Sequence, residues 1–432
     1  MKKNAQLDAA LDTDAALAHT GECEDCSRAI SRRTLFGGLL AGGVAMMTSG
    51  GLSVQAAFAE GNYTDDTIVV LSLRGGMDGL SVVAPLGDPA YAKARPTTAL
   101  KADSAIKVDE MFGLHPSLAP VKGMWESGQF AAVHAVGSMD QSRSHFSAME
   151  QIENAAPGTS LRTGWLDRVM GMRKTSDTFA ATQVGGSTTP RMAMGSYPEM
   201  MIPSLAGTKL NVATSATDLA TWQTLSTAMH ANTSSPLATP VHAALQASMA
   251  ALGMKTTTPS VTYPKTSLGG ALSDIAAMIK TGAGLQIATV DQGDWDHHEN
   301  AASRMTTSVG NVADCLAAFA ADLGPLWNKV TVVTLSEFGR RVKENGSAGF
   351  DHGHGNVMLL AGGSSLTGSK VFGTWPTLEK SKLRGGEDLA GTTDYRSVFT
   401  ELLTKRAGMS SSQARDAFPN FDAHSVGAFR SA

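Results

Sequence analysis

Three cysteines are too few for a disulfide scaffold. Charge is also scarce: Asp, Glu, Lys and Arg make up 17% of the 432 residues, against roughly 25% in an average protein. There is no basic excess, with Lys+Arg at 35 and Asp+Glu at 39, and this argues against a nucleic-acid binder. A net charge of −4 with 42% hydrophobic residues excludes a disordered chain. Beyond the N-terminus, no stretch approaches the roughly 18 apolar residues of a membrane span. A phosphate-binding G-x-x-x-x-G-K is missing, and Arg74-Gly75-Gly76-Met77-Asp78-Gly79 lacks the G-x-G-x-x-G spacing of a dinucleotide site. What remains is a folded, mildly acidic globular protein.

The first residues read as a leader. Arg32-Arg33 precedes Thr34-Leu35-Phe36 and a Gly-rich, weakly apolar stretch from Gly37 to Met47. Ala57-Phe58-Ala59 is a small-x-small cleavage site. This is the pattern of a twin-arginine export signal, residues 1–59, removed after Ala59. A membrane anchor is the weaker reading, because Gly42 and Gly43 break a short run. The expected product is a periplasmic or secreted chain without a permanent membrane span. Cys23 and Cys26 leave with the leader, so Cys315 alone persists in the mature protein.

Residues 60–432 alternate apolar runs with helical patterns and read as one α/β domain. Strands are expected at Thr67–Leu73, Phe130–Val136, Leu285–Val290, Val330–Leu335 and Val357–Ala361. Runs this apolar are buried on both faces, as in a mostly parallel, doubly wound sheet flanked by helices. Helices are expected over Ser147–Asn154, Leu272–Ile279, Asn311–Leu323 and Tyr395–Lys405. Two Ser/Thr/Pro-rich stretches, near 175–190 and 228–267, read as insertions.

Polar residues gather where strands end, which is where ligands sit in such sheets. Asp78 follows the first strand, as a metal ligand or as an ordinary turn residue. Ser144 precedes a helix, as a nucleophile beside Arg143 and His145 or as an N-cap. Asp294, Asp296, His297 and His298 follow the third strand, and Asp plus His is a divalent-metal ligand set. Glu337 follows the fourth, and Asp351, His352 and His354 come soon after. Four of the eleven histidines fall in these two segments, a clustering that scattered core histidines would not give.

These motifs, in this order, resemble a bacterial family of twin-arginine-exported proteins of unknown function. That family is similar to the alkaline phosphatase and sulfatase superfamily, and the resemblance spans about residues 65 to 425. It implies an alkaline phosphatase-like fold with a metal site at the strand ends. It gives Asp78 the first ligand role and Ser144 that of nucleophile. Asp294 and His298, with Asp296, match an Asp/His pair, and His352 or His354 supplies the last ligands. The superfamily's adjacent Asp-His is here Glu337-Phe338, and Phe338 cannot ligate, so either the missing imidazole comes from Asp351–His354 or one metal position is lost. A Cys-x-Pro-x-Arg signature is missing, which argues against a formylglycine sulfatase.

The expected function is hydrolysis of a phosphate or sulfate ester with a divalent metal (Zn, Mn, Mg or Ca). Serine or metal-bound hydroxide would attack, and Arg143, Arg74 or a helix N-terminus would stabilise charge. The alternative is a catalytically silent metal-binding envelope protein. Expected partners are a small ester or an envelope glycan, and the twin-arginine translocase during export.

Overall fold

The computed structural model describes residues 66–173, 178–186, 188–197, 199–207, 221, 224, 250–251 and 253–432. Residues 1–59, the expected leader, and most of 228–267, the second expected insertion, lie outside these residues.

Twelve strands are found among the described residues: β1 (Thr67–Leu73), β2 (Val83–Ala84), β3 (Ile106–Lys107), β4 (Gly113–Leu114), β5 (Phe130–Gly137), β6 (Ala181–Val184), β7 (Met200–Ile202), β8 (Ile287–Gln292), β9 (Val330–Leu335), β10 (Asn356–Gly362), β11 (Val371–Phe372) and β12 (Thr393–Asp394). Nine of them form one sheet in the order β11-β5-β10-β9-β1-β8-β6-β7, with β12 also on β5. The three short strands β2, β4 and β3 form a separate small sheet.

β1 lies at the centre and is buried along its whole length. Its side chains alternate between two cores. Val69, Leu71 and Leu73 pack with the helices Ser267–Lys280 and Ala301–Leu323. Ile68 and Val70 pack with the helices Trp165–Arg173 and Tyr395–Arg406. This two-sided burial is why the strand reads as a continuous apolar run.

β1 pairs in parallel with β8 and β9, β6 with β8 and β7, and β11 and β12 with β5. β10 alone is reversed, antiparallel to both β5 and β9. No long crossover helix separates β9 from β10. Residues 336–355 therefore remain at the end where β9 stops, and β10 starts from that same end. The segments after β1, β5 and β8 open at this edge too.

The 175–190 stretch is not simply an insertion. Ala181–Val184 is β6, fully buried in the sheet, and Thr289 donates a hydrogen bond to Gln183 across it. A Thr-containing segment suits a strand when neighbours on both sides supply its pairing. The third apolar strand begins at Ile287 and runs on to Gln292, two residues beyond the apolar run.

β5 carries a bulge opposite Asn356 and Val357, with Ala135 at φ 53°. Buried His134 holds it: Nδ1 accepts from Ala135 N–H at 2.8 Å, and Nε2 donates to Val83 O at 2.9 Å. Both nitrogens are satisfied in the neutral ring. Burial pushes this imidazole down to about 4, against the opposing pull of its bond to Val83 and of Asp78. The unfolded histidine keeps its ordinary value near 6.5, so only the unfolded chain gains this proton as pH falls below that value. Stability should drop between about pH 6.5 and pH 4, by roughly 3 kcal/mol from His134. Urea unfolding at about pH 7 and about pH 4.5 checks this. A His134→Gln variant with unchanged pH dependence would remove His134 as its cause.

Candidate metal centre

The turn after β1 brings its backbone close to two neighbours. A Cβ on Gly75 would stand 2.6 Å from Asp296 N, and one on Gly76 would stand 2.5 Å from the Phe338 ring. Both residues also have positive φ, at 120° and 65°, which glycine adopts without strain. Their N–H groups donate to Glu337, Gly75 at 2.8 and 3.0 Å and Gly76 at 2.8 Å. Buried Glu337 is thus the cap of this turn.

Asp78 is buried beyond the turn. Arg95, itself buried, binds it with Nη1 at 2.5 Å from Oδ2 and Nη2 at 2.9 Å from Oδ1. Ser81 adds a hydroxyl at 2.5 Å. Burial alone would raise the Asp78 pKa, but Arg95 outweighs it and holds the carboxyl below its ordinary range.

The loop after β5 is built around Asp140. Its carboxylate accepts from Ser142 N–H at 3.0 Å, Ser142 Oγ at 2.7 Å, Ser147 Oγ at 3.2 Å and Gln151 Nε2 at 2.8 Å. Arg143 then turns left-handed, at φ 52°. Ser144 is the N-cap residue of the helix His145–Asn154 by backbone conformation, yet its hydroxyl makes no capping bond. His145 is the first helical residue.

His145, Asp296 and His352 come together, each with a ligating atom within 4.8 Å of the others. His352 Nε2 lies 3.1 Å from His145 Nε2 and 3.0 Å from His298 Nε2. Asp296 Oδ1 lies 3.0 Å from His298 Nε2 and 3.3 Å from His352 Nε2. Behind each ring stands an acceptor. His352 Nδ1 is 2.8 Å from Arg143 O, His298 Nδ1 is 3.4 Å from Asp351 Oδ1, and His145 Nδ1 is 3.5 Å from Glu337 Oε1.

These rear contacts assign the protons. A carbonyl or carboxylate oxygen can only accept, so on His352 and His298 Nδ1 carries the hydrogen and Nε2 presents its lone pair forward, whereas the buried His145 Nδ1 makes no hydrogen bond. The His298 and His352 lone pairs and Asp296 Oδ1 then lie 3.0–3.3 Å from one another, with His145 Nε2 3.1 Å from His352 Nε2 and 3.7 Å from Asp296 Oδ2. Such a set repels itself unless a cation sits among it. An acceptor behind Nδ1 is also the usual support of a metal-binding histidine. The donor set fits a divalent metal.

Arg340 fixes the carboxylate. Its buried guanidinium donates to Asp296 Oδ1 at 2.6 Å, Phe350 O at 2.9 Å, Gly76 O at 2.5 Å and Gly75 O. Partial burial favours the neutral acid at Asp296, but Arg340, with His298 and His352, holds it down at about 2. Burial lowers the His352 pKa too, with Arg340 and His145 adding to the effect, against the bond to Arg143. Both shifts favour the protonation states that ligate. The cluster is open to water, with side-chain exposures of 46% for Asp296 and 43% for His298.

Several sequence candidates sit elsewhere. Asp294 faces solvent and pairs with Arg304 at 2.5 Å. His297 is buried and bonds Asp294 O at 2.7 Å. His354 points to Ser138 O at 3.0 Å and Arg384 Nη1 at 2.8 Å. Glu337 and Asp351 stand behind histidines rather than among the forward donors. Arg74 is tied to Glu153 at 2.7 Å and Asp291 at 2.9 Å, and Arg143 to Asp388 at 2.6 Å. Two further residues of the cluster are not marked by the sequence. His145 reads there only as a neighbour of Ser144, and Arg340 carries no signal of its own. The signal for His145 was its place at a helix start directly beyond a strand end.

Solved structures similar to the chain include a lipoteichoic acid synthase from Listeria monocytogenes, at 8% identity and TM-score 0.30, covering 75% of this chain and 70% of that one. The alkaline phosphatase of the Antarctic bacterium TAB5 is similar at 11% identity and TM-score 0.30, over 69% of this chain and 92% of that one. The C-terminal periplasmic domain of EcEptC from Escherichia coli, in complex with Zn, is similar at 8% identity and TM-score 0.31, over 73% and 78%. No curated protein matches in sequence. The family model described as "Protein of unknown function (DUF1501)" matches residues 65–396, from just before β1 to the start of the last long helix, and the chain belongs to that family.

Proposed function

We propose that this chain is an exported, single-metal hydrolase of a phosphate or sulfate ester. The observation that carries the reading is the gathering of His145, His298 and His352 Nε2 around Asp296, with an acceptor behind His352 and His298. His145, His298, His352 and Asp296 would hold the cation. Three imidazoles favour zinc or a similar transition metal over Ca or Mg, which prefer all-oxygen ligands. A bound cation would act as a Lewis acid, polarising an ester oxygen and lowering the pKa of an attached hydroxyl or water. Ser144, next to His145 in sequence and without a capping bond, would be the attacking hydroxyl, and the helix N-terminus favours developing negative charge.

Support for one metal rather than two comes from Asp78 and Glu337. Arg95 occupies the first, and backbone N–H groups occupy the second. The silent, binding-only reading also has an observation in its favour: Arg74 and Arg143 are both paired with carboxylates and so not free for an oxyanion. Solvent access to Asp296 and His298 favours catalysis, because catalytic metal sites keep an open position. Metal analysis of the natively exported protein, followed by aryl phosphate and aryl sulfate assays, separates the readings. About one metal per chain with turnover of either ester supports the hydrolase. Metal without turnover favours the silent reading, and no metal overturns both.

Export belongs to the same proposal, with residues 60–432 as the mature domain. Among the described residues no helix is long and apolar enough to cross a membrane. Changing Arg32 and Arg33 together to Lys should leave precursor in the cytoplasm, read by fractionation and immunoblotting. Normal export of that variant removes the twin-arginine route.

A further inference from the structure

A cavity of about 780 Å³ lies at the β11 edge of the sheet. That volume is within the range of small-molecule pockets, roughly 300–1,000 Å³. Its walls come from β11, β12, the first turn of the Tyr395–Arg406 helix and the tail around Phe421–Val426.

The walls carry few charges, and one of them is matched. Arg396 holds Asp394 through Nε at 2.9 Å and Nη2 at 2.8 Å. The Lys370 ammonium sits 4.5 Å over the Phe372 ring. Asp422 and His424 bring one acid and one imidazole from the tail. The rest of the polar lining is hydroxyl and backbone, including Thr374, Thr393 and Ser397. One face of Phe421 is covered by the Arg396 guanidinium at 4.0 Å, and the ring also borders the cavity.

The tail wall is anchored. Buried Glu401 accepts from Ser425 Oγ at 2.9 Å, Val426 N–H at 2.6 Å, Gly427 N–H at 2.7 Å and Phe429 N–H at 2.9 Å. Ser397 Oγ accepts from His424 N–H at 3.2 Å. A wall held this way loses little freedom when a ligand arrives.

We infer that this cavity binds a neutral carbohydrate. Hydroxyls, backbone groups and few charges suit a ligand rich in uncharged donors and acceptors. An immobilised aromatic ring suits the apolar face of a sugar. A strongly anionic ligand would find one ammonium, Lys370, already over the Phe372 ring, and Asp422 opposing it, with Arg396 engaged by Asp394. The inference does not depend on the proposed hydrolase activity.

The test is calorimetric titration of the full exported chain with chitobiose, cellobiose and maltose. At least one should bind with Kd below about 1 mM. Phe421→Leu keeps an apolar side chain against Arg396 but removes the ring, and should weaken binding at least tenfold at unchanged Tm. Thr393→Val, which removes only a hydroxyl, should weaken it less. His352→Ala should bind the sugar like wild type, which keeps this site distinct from the metal centre. The inference is overturned if none of the three disaccharides binds, or if both cavity variants bind like wild type. Capture of an alanine tetrapeptide instead, as an added strand on β11, would overturn it equally.

Discussion

Replacing Arg95 by methionine should destabilise the protein by about 3–5 kcal/mol, the range for leaving one member of a buried ion pair alone. Arg95 and Asp78 are 0% and 1% exposed, so water cannot take over for the missing partner. Arg95 also donates to Val342 O at 2.9 Å and Arg341 O at 3.1 Å, and lies 3.9 Å over the Phe350 ring. Methionine keeps much of the stem packing and removes the charge and every donor. The stranded Asp78 would then titrate above its unfolded value. Its penalty is full at neutral pH and is relieved as pH falls through that raised value, opposite in sign to the His134 effect. Pairing Arg95→Met with Asp78→Leu should recover much of the loss, since a buried ion pair replaced by apolar groups is often neutral. Urea unfolding of the two single variants and the double variant gives the coupling directly. A loss below about 1 kcal/mol in Arg95→Met would show that the pair is not buried as described.

The same pair shows where the sequence stops being informative. Asp78 sits after a strand in a Gly-rich turn, and in isolation that context fits a ligand as well as a turn. What decides its role is Arg95, an arginine whose sequence surroundings carry no signal. The pairing exists because the chain beyond the turn folds back under the 341–342 backbone. Glu337 is a similar case. Its position after β9 was legible, but its engagement with Gly75 and Gly76 depends on how β9 lies beside β1.

Long buried strands were readable because burial on two faces leaves an apolar run. β1 and β9 have the bounds that their composition gives. β7, β11 and β12 are two or three residues long, too short for any periodicity, and their neighbours supply their pairing. The reversed direction of β10 was invisible for a different reason: a strand's own residues do not encode which way it runs. Yet that reversal keeps residues 336–355 at one edge and so brings His352 to His298. The two histidine clusters stood out by composition. His145 did not, because a single histidine beside a serine at a helix start reads as capping.

Replacing His352 by Ala should reduce bound metal from about one per chain to near zero and weaken affinity at least a hundredfold, since the central imidazole of the cluster is lost. His352 Nε2 is the atom that both other imidazoles approach, at 3.1 and 3.0 Å. His145→Ala should behave similarly, and this is the more demanding test, because the sequence context of His145 reads as helix capping as readily as ligation. Asp351→Asn acts only through His298, by weakening the acceptor behind Nδ1, and should cost about tenfold, at the mild end for a supporting residue. His354→Ala should retain metal, because its ring faces Ser138 O and Arg384. Ser144→Ala should also retain metal and, in a serine-nucleophile hydrolase, lose ester turnover. Turnover that survives in Ser144→Ala would assign attack to water and leave the serine as helix start only. Competition with a chromogenic chelator, with elemental analysis of the same samples, measures the whole series. Full metal content in both His352→Ala and His145→Ala would dismiss the centre, since each variant removes one of the four donors assigned to the cation.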